Sequence, residues 1–502
     1  MRKSGILLSV SSLPSQYGIG CFSKEAYAFV DFLEESGMSL WQILPLGPTG
    51  HGDSPYQSFS TFAGNPYYID LTELILRGWI TGNECREYDY GNPEYVEYDI
   101  IVKSRERLLR EAYYNSGFGE KNGETEFADL YPEYTAFKKN NEFWLKDYAL
   151  YMAIKRKNQR LPWTDWDVKY KLRDPKAMEE FVKNEQTEIL YYYFEQFFFL
   201  RQWTALKSYA NSKGIEIVGD IPIYVAGDGA DTWAHPELFQ LDDKCDPIAV
   251  AGCPPDYFSK TGQLWGNPLY DWDYHKKTGY EWWILRMKHS FTLYDVLRID
   301  HFRGFDEFYS IPAGSENAVN GKWVQGPGYD LFKAIKKALG NKKIIAEDLG
   351  FMTPSVLKLV KQTGYPGMKV LQFAFDHTGG SPYLPYNHTD NCVVYTGTHD
   401  NDTTVGWYES LRRRDRSFAK KYLNVKSKSK VPDAMMKIAL ASVADMAIIP
   451  MQDVLKLGSE ARMNIPSTVG NNWKWRMKAD ACNVELAEYL RDLNHVYGRL
   501  VR

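Results

Sequence analysis

The chain has 502 residues, of which 44% are hydrophobic and 25% charged, and this composition is typical of a globular protein and excludes a disordered one. Its formal net charge of −4 at pH 7 predicts no nucleic-acid partner and no membrane partner. The 6 cysteines are scattered without a CxxC pair, so neither a zinc ribbon nor a disulfide framework is expected. The first apolar run is short and is followed by Ser11, Ser12 and Pro14, which is unlike a secretory signal. We therefore expect a cytoplasmic protein.

Short apolar runs that end abruptly in polar, Gly or Pro sequence recur along the chain. Their apolar character is continuous and not alternating, which is typical of parallel strands covered on both faces. The eight runs are residues 6–10, 40–46, 215–223, 296–302, 343–349, 368–375, 392–400 and 446–454.

Helical patterns precede several of these runs, and they cover residues 23–37, 331–340 and 353–364. Each pattern ends in glycine, the residue expected just after a helix. Alternating strands and helices imply right-handed βαβ units. Eight such units predict an α/β fold, a (β/α)8 TIM barrel, and an open doubly wound sheet is the alternative.

The spacing of the strands is uneven, and stretches this long are rarely structureless. We expect residues 1–502 to form a single catalytic barrel without a separate C-terminal β-domain. Subdomains are expected at about 51–200, 225–290 and 304–330, inserted after the second, third and fourth barrel strands. The first should contain a helix pair, whereas the third has the Gly-, Pro- and Trp-rich sequence of loops. Insertions after barrel strands lie on the catalytic face.

Ionisable residues follow four of the predicted strands at the point where each strand ends. They are Asp220, Asp300, Glu347 with Asp348, and His399 with Asp400. In a barrel the carboxyl ends of the strands surround one shallow depression, so side chains far apart in sequence converge there. The sequence therefore predicts a functional site at this end of the barrel.

The residue types at these positions suit glycoside chemistry. Arg298 and Asp300 lie on one face of their strand because side chains alternate with a period of two. A guanidinium beside Asp300 would keep it ionised and ready to attack an anomeric carbon. Glu347 follows an apolar run and has anionic neighbours in Asp300 and Asp348, and both effects raise the pKa of a carboxyl toward that of a general acid. Asp400 would hold sugar hydroxyls and favour the oxocarbenium-like transition state.

Other kinds of site are less consistent with the residues. A divalent metal could be held by the same carboxylates and histidines, but no HxH or HExxH spacing occurs, and Arg298 and Arg303 would repel a cation. A Ser-His-Asp triad lacks the GxSxG motif. No cofactor is expected. A non-catalytic glucan-binding protein is a further alternative, although such a protein needs no nucleophile.

Several blocks resemble a known family, the 4-α-glucanotransferases (amylomaltases or disproportionating enzymes) of glycoside hydrolase family 77. The catalytic blocks are RIDHFRG (298–304), AEDLG (346–350) and GTHDN (397–401). Further similar blocks include SPYQSFSTFAGNPYYIDL (54–71), GDIPIYVAGDGADTWAHPELF (219–239), PPDYFSKTGQLWGNPLYDW (254–272) and EARMNIPST (460–468). The resemblance therefore covers nearly the whole chain.

This resemblance implies a role for each matching position. Asp300 would be the nucleophile, Glu347 the acid/base and Asp400 the stabiliser of the transition state. The implied substrate-binding residues are Arg298, His399, Tyr56, Asp220, Asp256, Trp265 and Asn464. Tyr56 would stack on the attacked glucose, and Asp256 and Trp265 would lie on a loop that closes over the acceptor.

The implied reaction moves α-1,4-glucan segments from a donor maltooligosaccharide to the 4-hydroxyl of glucose or another glucan. An α-amylase-type hydrolase on the same barrel is the alternative enzyme. The protein would be a monomer or a weak homo-oligomer.

Overall fold

The molecule is built on parallel strands that alternate with helices. The structure, a computed structural model, describes residues 2–119, 127–255, 259–350 and 352–500. Nowhere in these ranges does a helix combine the length and the apolar character that crossing a bilayer requires. The strands are β1 (Lys3–Leu7), β2 (Leu40–Gln42), β3 (Glu216–Ile221), β4 (Ala249–Cys253), β5 (Gln263–Pro268), β6 (Val296–Ile299), β7 (Glu307–Pro312), β8 (Lys322–Gln325), β9 (Ile344–Ala346), β10 (Gly367–Val370), β11 (Cys392–Tyr395) and β12 (Met446–Pro450).

The α-helices lie between and around these strands. They are α1 (Lys24–Glu35), α2 (Leu71–Leu76), α3 (Gly82–Arg86), α4 (Tyr98–Asn115), α5 (Tyr131–Lys157), α6 (Val168–Lys171), α7 (Pro175–Asn184), α8 (Gln186–Ser212), α9 (Ala230–Ala234), α10 (Trp272–Lys277), α11 (Glu281–Leu293), α12 (Tyr329–Leu339), α13 (Pro354–Thr363), α14 (Thr404–Ser410), α15 (Arg413–Tyr422), α16 (Val431–Ala441), α17 (Met451–Val454) and α18 (Val484–Val496).

Eight parallel strands of the described chain form one sheet, in the order β10-β11-β12-β1-β2-β3-β6-β9. This order follows the chain around a ring, as a (β/α)8 barrel requires. Each strand overlaps one of the eight apolar runs, and most strand residues are buried, as expected for strands covered by helices on the outer face. The predicted barrel is confirmed, and the open doubly wound alternative is excluded.

The ring closes between β9 and β10, where the sheet has no strand ladder. The backbone N–H of Ala346 donates to the carbonyl of Pro366 at 3.0 Å. Asp348 accepts the N–H of Met368 at 2.7 Å through Oδ1. A side chain at Gly367 would collide with this carboxylate, so a glycine is required there. A side-chain hydrogen bond therefore completes the barrel where backbone pairing stops.

A second sheet lies outside the barrel. Within the described residues it has four antiparallel strands in the order β5-β4-β7-β8. The strands β4 and β5 precede the barrel strand β6, and β7 and β8 follow it. The prediction of loop structure for residues 304–330 is wrong, because β7 pairs with β4 and β8 pairs with β7. β4 and β7 are distant in sequence, so a local residue pattern does not predict that they pair.

The predicted helices form close to their expected positions. α1, α12 and α13 occupy the three helical patterns, and Gly364 caps α13 in the left-handed conformation at φ 70°. The helix pair expected near residues 141–158 and 185–213 is present as the long helices α5 and α8. These two helices pack against each other beside the barrel and bury much of the aromatic content of the chain.

Candidate active site

Asp220, Arg298 and Asp300 form a chain of ion pairs on neighbouring strands. The register of β3 and β6 places Asp220 opposite Arg298. One guanidinium nitrogen of Arg298 donates to Asp220 Oδ2 at 2.5 Å, and the other donates to Asp300 Oδ1 at 2.9 Å. The expectation that Arg298 and Asp300 share a face of the strand is therefore confirmed.

Burial divides this group into an anchor and an exposed carboxylate. The side chains of Arg298 and Asp220 are 4% and 0% exposed, whereas that of Asp300 is 30% exposed. Burial raises the pKa of Asp220, and the charge of Arg298 opposes that rise. Burial would lower the pKa of Arg298, but Asp220 and Asp300 raise it well above its ordinary value. The arginine therefore stays charged and holds Asp300 at the open end of the barrel.

Glu347 lies directly after β9, next to Asp300. Its backbone N–H donates to the carbonyl of Ile299, which brings it to the end of β6. The backbone N–H groups of His301 and Leu349 donate to its two carboxyl oxygens at 2.7 and 2.9 Å. His301 has a left-handed backbone with φ 49°, an uncommon conformation for a residue other than glycine. The turn thus directs the His301 N–H toward Glu347.

The electrostatics of Glu347 are those of a general acid. Desolvation and then the charge of Asp300 raise its pKa to about 8, although Arg298 and the two backbone donors oppose the rise. The like charge that raises this pKa is that of Asp300, whereas the Asp348 carboxylate binds the N–H of Met368 where the barrel closes. The raised pKa favours the protonated form of Glu347 near neutral pH.

Asp400 lies on the loop after β11, together with His399. The side-chain amide of Asn464 donates to Asp400 Oδ1 at 2.6 Å, and His399 Nε2 lies 3.5 Å from the same oxygen. The Asp400 side chain is 45% exposed, so it faces open space as Asp300 does. Arg462 binds the backbone carbonyls of both Asp400 and Asn464 at 2.8 Å. Arg462 and Asn464, on the segment that follows α17, therefore hold Asp400 in place.

Tyr56 connects the Asp220 and His399 sides of the site. Its hydroxyl donates to Asp220 Oδ2 at 2.8 Å, and its ring stacks on His399 at 5.2 Å and 16°. Burial raises the pKa of the Tyr56 hydroxyl well above its ordinary value, so the phenol remains a donor. The ring of Trp473 lies 5.8 Å from Tyr56. The rings of Tyr56, His399 and Trp473 thus pack together on one side of the site.

Trp265 reaches the site from the second sheet. Its ring meets that of His301 edge to face at 4.8 Å. The expectation that Trp265 lies in a loop is wrong, because it belongs to β5, which pairs with β4. Asp256, the other residue expected on the acceptor side, lies outside the described residues.

Nine of the ten predicted site residues are described, and the structure places all nine around the open end of the barrel. Residue patterns missed Trp473 and Arg462. Arg462 lies within the EARMN block, but nothing local marks it as a ligand of the Asp400 backbone. Within the described ranges no group of three or more His, Cys, Asp or Glu side chains is arranged to hold a metal ion.

A (β/α)8 barrel with an arginine-held carboxylate beside a protonated glutamic acid belongs to the class of glycoside-processing enzymes. The model of glycoside hydrolase family 77, described as 4-alpha-glucanotransferase, matches residues 8–482. The chain belongs to this family.

Relatives and solved structures agree with this assignment. The 4-alpha-glucanotransferase of Streptococcus pneumoniae is 47% identical over 99% of this chain and 98% of its own. That of Thermus thermophilus is 46% identical over 99% of both chains. The amylomaltase of Streptococcus agalactiae, solved in complex with acarbose, superposes with a TM-score of 0.96 at 40% identity over 100% of both chains. The amylomaltase of Corynebacterium glutamicum shares the fold, with a TM-score of 0.76 at 18% identity over 99% of this chain and 74% of its own.

Proposed function

We propose that this enzyme is a retaining 4-α-glucanotransferase that moves α-1,4-glucan segments between maltooligosaccharides through a covalent intermediate on Asp300. The carrying observation is the pairing of Asp300, held by Arg298 at 2.9 Å, with Glu347, whose pKa is raised to about 8. One carboxylate is thus available as a nucleophile while its neighbour holds a proton, as retaining glycoside chemistry requires.

In the first step Asp300 attacks the anomeric carbon of the donor glucan. The glycosidic C–O bond breaks, and Glu347 gives its proton to the departing oxygen, which leaves as the 4-hydroxyl of the released fragment. The product on the enzyme is a β-glucosyl ester of Asp300. Proton transfer requires Glu347 to turn one carboxyl oxygen toward the leaving group, away from a backbone donor.

In the second step the 4-hydroxyl of an acceptor glucan replaces Asp300. Glu347, now ionised, takes the hydroxyl proton, and the second inversion at the anomeric carbon restores the α-linkage. Asp400 binds sugar hydroxyls through the oxygen that Asn464 leaves unoccupied and stabilises positive charge in the transition state. Tyr56 and His399 hold the attacked glucose, and Trp265 and Asp256 contact the acceptor.

Transfer in place of hydrolysis requires water to be kept from the ester until an acceptor binds. We assign this role to the segments around 51–200, 225–290 and 304–330, which act as inserted subdomains on the catalytic face. They carry Tyr56, whose hydroxyl binds Asp220, and Trp265, whose ring contacts His301. The scattered cysteines support action in the cytoplasm, a reducing compartment.

The test is the product profile from maltotriose. Transfer yields glucose and longer chains with little gain in total reducing ends. A steady rise in reducing ends would instead identify an α-amylase-type hydrolase. Asp300→Asn should abolish turnover, and an undiminished rate would refute the assignment of the nucleophile. Trapping the glucosyl ester with a 2-deoxy-2-fluoro donor and locating it by peptide mass spectrometry tests the covalent step directly.

A further inference from the structure

The loop that carries Asp400 begins and ends on one buried carboxylate. The loop, residues 396–404, starts directly after β11 and ends at the first residue of α14. Asp453, in the short helix α17 after β12, is 2% exposed. Its Oδ2 accepts from the hydroxyls of Thr396 and Thr404 at 2.5 and 2.7 Å, and its Oδ1 accepts the backbone N–H of Thr404 at 2.6 Å. One side chain therefore joins the two ends of the loop.

Neighbouring strands of the barrel supply the two sides of this junction. β11, which leads into the loop, pairs with β12, which leads into α17, and Tyr395 lies opposite Ile448. Thr396 and Thr404 are 0% exposed, so the atoms that meet Asp453 are enclosed on all sides. Side chains held by packing and hydrogen bonds can fix a site to within a fraction of an ångström. The ends of the loop are thus fixed to the barrel.

The burial of this carboxylate is costly, and uncharged donors compensate for it. Burial raises the pKa of Asp453, and the hydrogen bonds from Thr396 and Thr404 oppose the rise. A buried polar or charged group destabilises a protein unless hydrogen bonds satisfy it. Here one donor binds Oδ1 and two bind Oδ2, an arrangement that requires a side chain accepting through both of its oxygens.

Hydrogen bonds within the loop extend the constraint to Asp400. The hydroxyl oxygen of Thr398 accepts the backbone N–H of Asp400 at 3.3 Å. Asn401 Oδ1 accepts both the backbone N–H and the hydroxyl of Thr398 at 2.9 Å. These bonds fix the shape of the loop, whereas the bonds to Asp453 fix where the loop lies on the barrel.

We propose that Asp453 is a positioning residue, which places the Asp400 carboxylate at the open end of the barrel by joining both ends of its loop. Asp453 is buried, so it acts through Asp400 and not on the sugar. The inference rests on the proposed function, from which it takes the role of Asp400 in the transition state. A shift of about 1 Å in a catalytic group can lower the rate about 100-fold.

The test is the steady-state kinetics of Asp453→Ala with maltotriose, followed by release of glucose. kcat should fall about 10- to 100-fold with little change in KM, because the misplaced carboxylate acts in the transition state. Asp295→Ala is the matched control and should keep the kcat of the wild type. Asp295 precedes β6 at the opposite end of the barrel, and it also accepts from three donors, Lys207, Asn211 and the N–H of Ile217, at 2.8, 2.8 and 2.9 Å.

A double-mutant cycle separates positioning from a general loss of structure. Asp453→Ala should lower kcat much less in an Asp400→Asn background than in the wild type, since no catalytic carboxylate is left to misplace. Thr396→Val removes one donor and keeps the branched shape, so it should also lower kcat, though by less. Thr396→Ser keeps the hydroxyl and should retain the kcat of the wild type. If Asp453→Ala does not fold, the two variants of Thr396 decide the question.

A wild-type kcat for Asp453→Ala, or an equal fold loss with and without the Asp400 carboxylate, would overturn the inference. Equal kcat values for Thr396→Val and Thr396→Ser would overturn it as well. The cycle also separates the inference from the proposed function. An undiminished kcat for Asp400→Asn refutes the proposed role of Asp400, whereas a loss confined to that variant refutes only the positioning by Asp453.

Discussion

Replacing Arg298 with methionine would remove the cation that balances a fully buried carboxylate. Asp220 would keep the hydrogen bond from Tyr56, and its Oδ1 has no hydrogen-bond partner among the described residues even in the wild type. Breaking a buried ion pair costs about 3–5 kcal/mol because an uncompensated charge remains in a low dielectric. Loss of the Arg298–Asp300 ion pair adds little to this cost, since the Asp300 side chain is 30% exposed and water screens its charge. We therefore expect Arg298→Met to lower the free energy of unfolding by about 3–5 kcal/mol at pH 7.

The loss should depend on pH in a defined direction. Burial raises the pKa of Asp220 and Arg298 lowers it, so removal of Arg298 raises that pKa further. A carboxyl whose pKa is higher in the folded than in the unfolded protein favours the fold when protonated. Its destabilising effect is therefore greatest above the folded pKa and shrinks as the pH falls through it. The difference from wild type should be smaller at pH 5 than at pH 7.

The assay is urea unfolding followed by circular dichroism at both pH values, with the free energy taken from the midpoint shift and the m value. Arg201→Met is the control, because Arg201 is 29% exposed and its two partners, Glu73 and Glu133, are 23% and 50% exposed, so water reaches both ion pairs. The free energy of unfolding of that variant should be lower than that of the wild type by about 0.2–1 kcal/mol. A loss below about 1 kcal/mol for Arg298→Met, or an equal loss at pH 5 and pH 7, would refute the reasoning.

Four further predictions follow from the same contacts. Because the pKa of Glu347 is raised to about 8, kcat/KM for maltotriose should fall as the pH rises through about 8. Glu347→Gln should lower the rate about 100- to 10,000-fold and should no longer show this fall at high pH. An unchanged pH profile in the variant would contradict the assignment of Glu347 as the acid. Tyr56→Phe removes the 2.8 Å hydrogen bond to Asp220 but keeps the ring on His399, so unfolding should become easier by about 1.5–3 kcal/mol, measured in urea. Burial raises the pKa of Glu195 to about 7, so the contribution of protonated Glu195 to stability is lost as the pH rises through about 7. Glu195→Gln should therefore reduce the fall of the urea unfolding midpoint between pH 5 and pH 8. Parallel plots of midpoint against pH for variant and wild type would contradict this. Dialysis against EDTA should leave turnover of maltotriose unchanged, since the described chain holds no cluster of metal ligands; a loss restored by a divalent cation would contradict it.

The sequence by itself determined where the eight strands lie and which ends of them carry the charges, whereas closure into a barrel was decided by the strand order of the structure. Continuous apolar runs are the local consequence of strands covered on both faces, so all eight strands could be located without knowing their neighbours. Asp220, Asp300 and Glu347 could be selected because each follows such a run. Arg298 and Asp300 could be paired because the period of a strand is fixed by backbone geometry.

Only the tertiary structure decided what each charge contacts. Asp348 is adjacent to Glu347 in sequence, yet it turns to Met368 at the β9–β10 junction, where no strand ladder forms. Trp265 lies in a strand because its partners come from β4, and strand pairing between distant segments leaves no local signature. Asp220 and Arg298 are 78 residues apart, and their ion pair exists because the register of β3 and β6 aligns them. Local patterns record burial and strand period, whereas contacts between side chains depend on how the barrel closes.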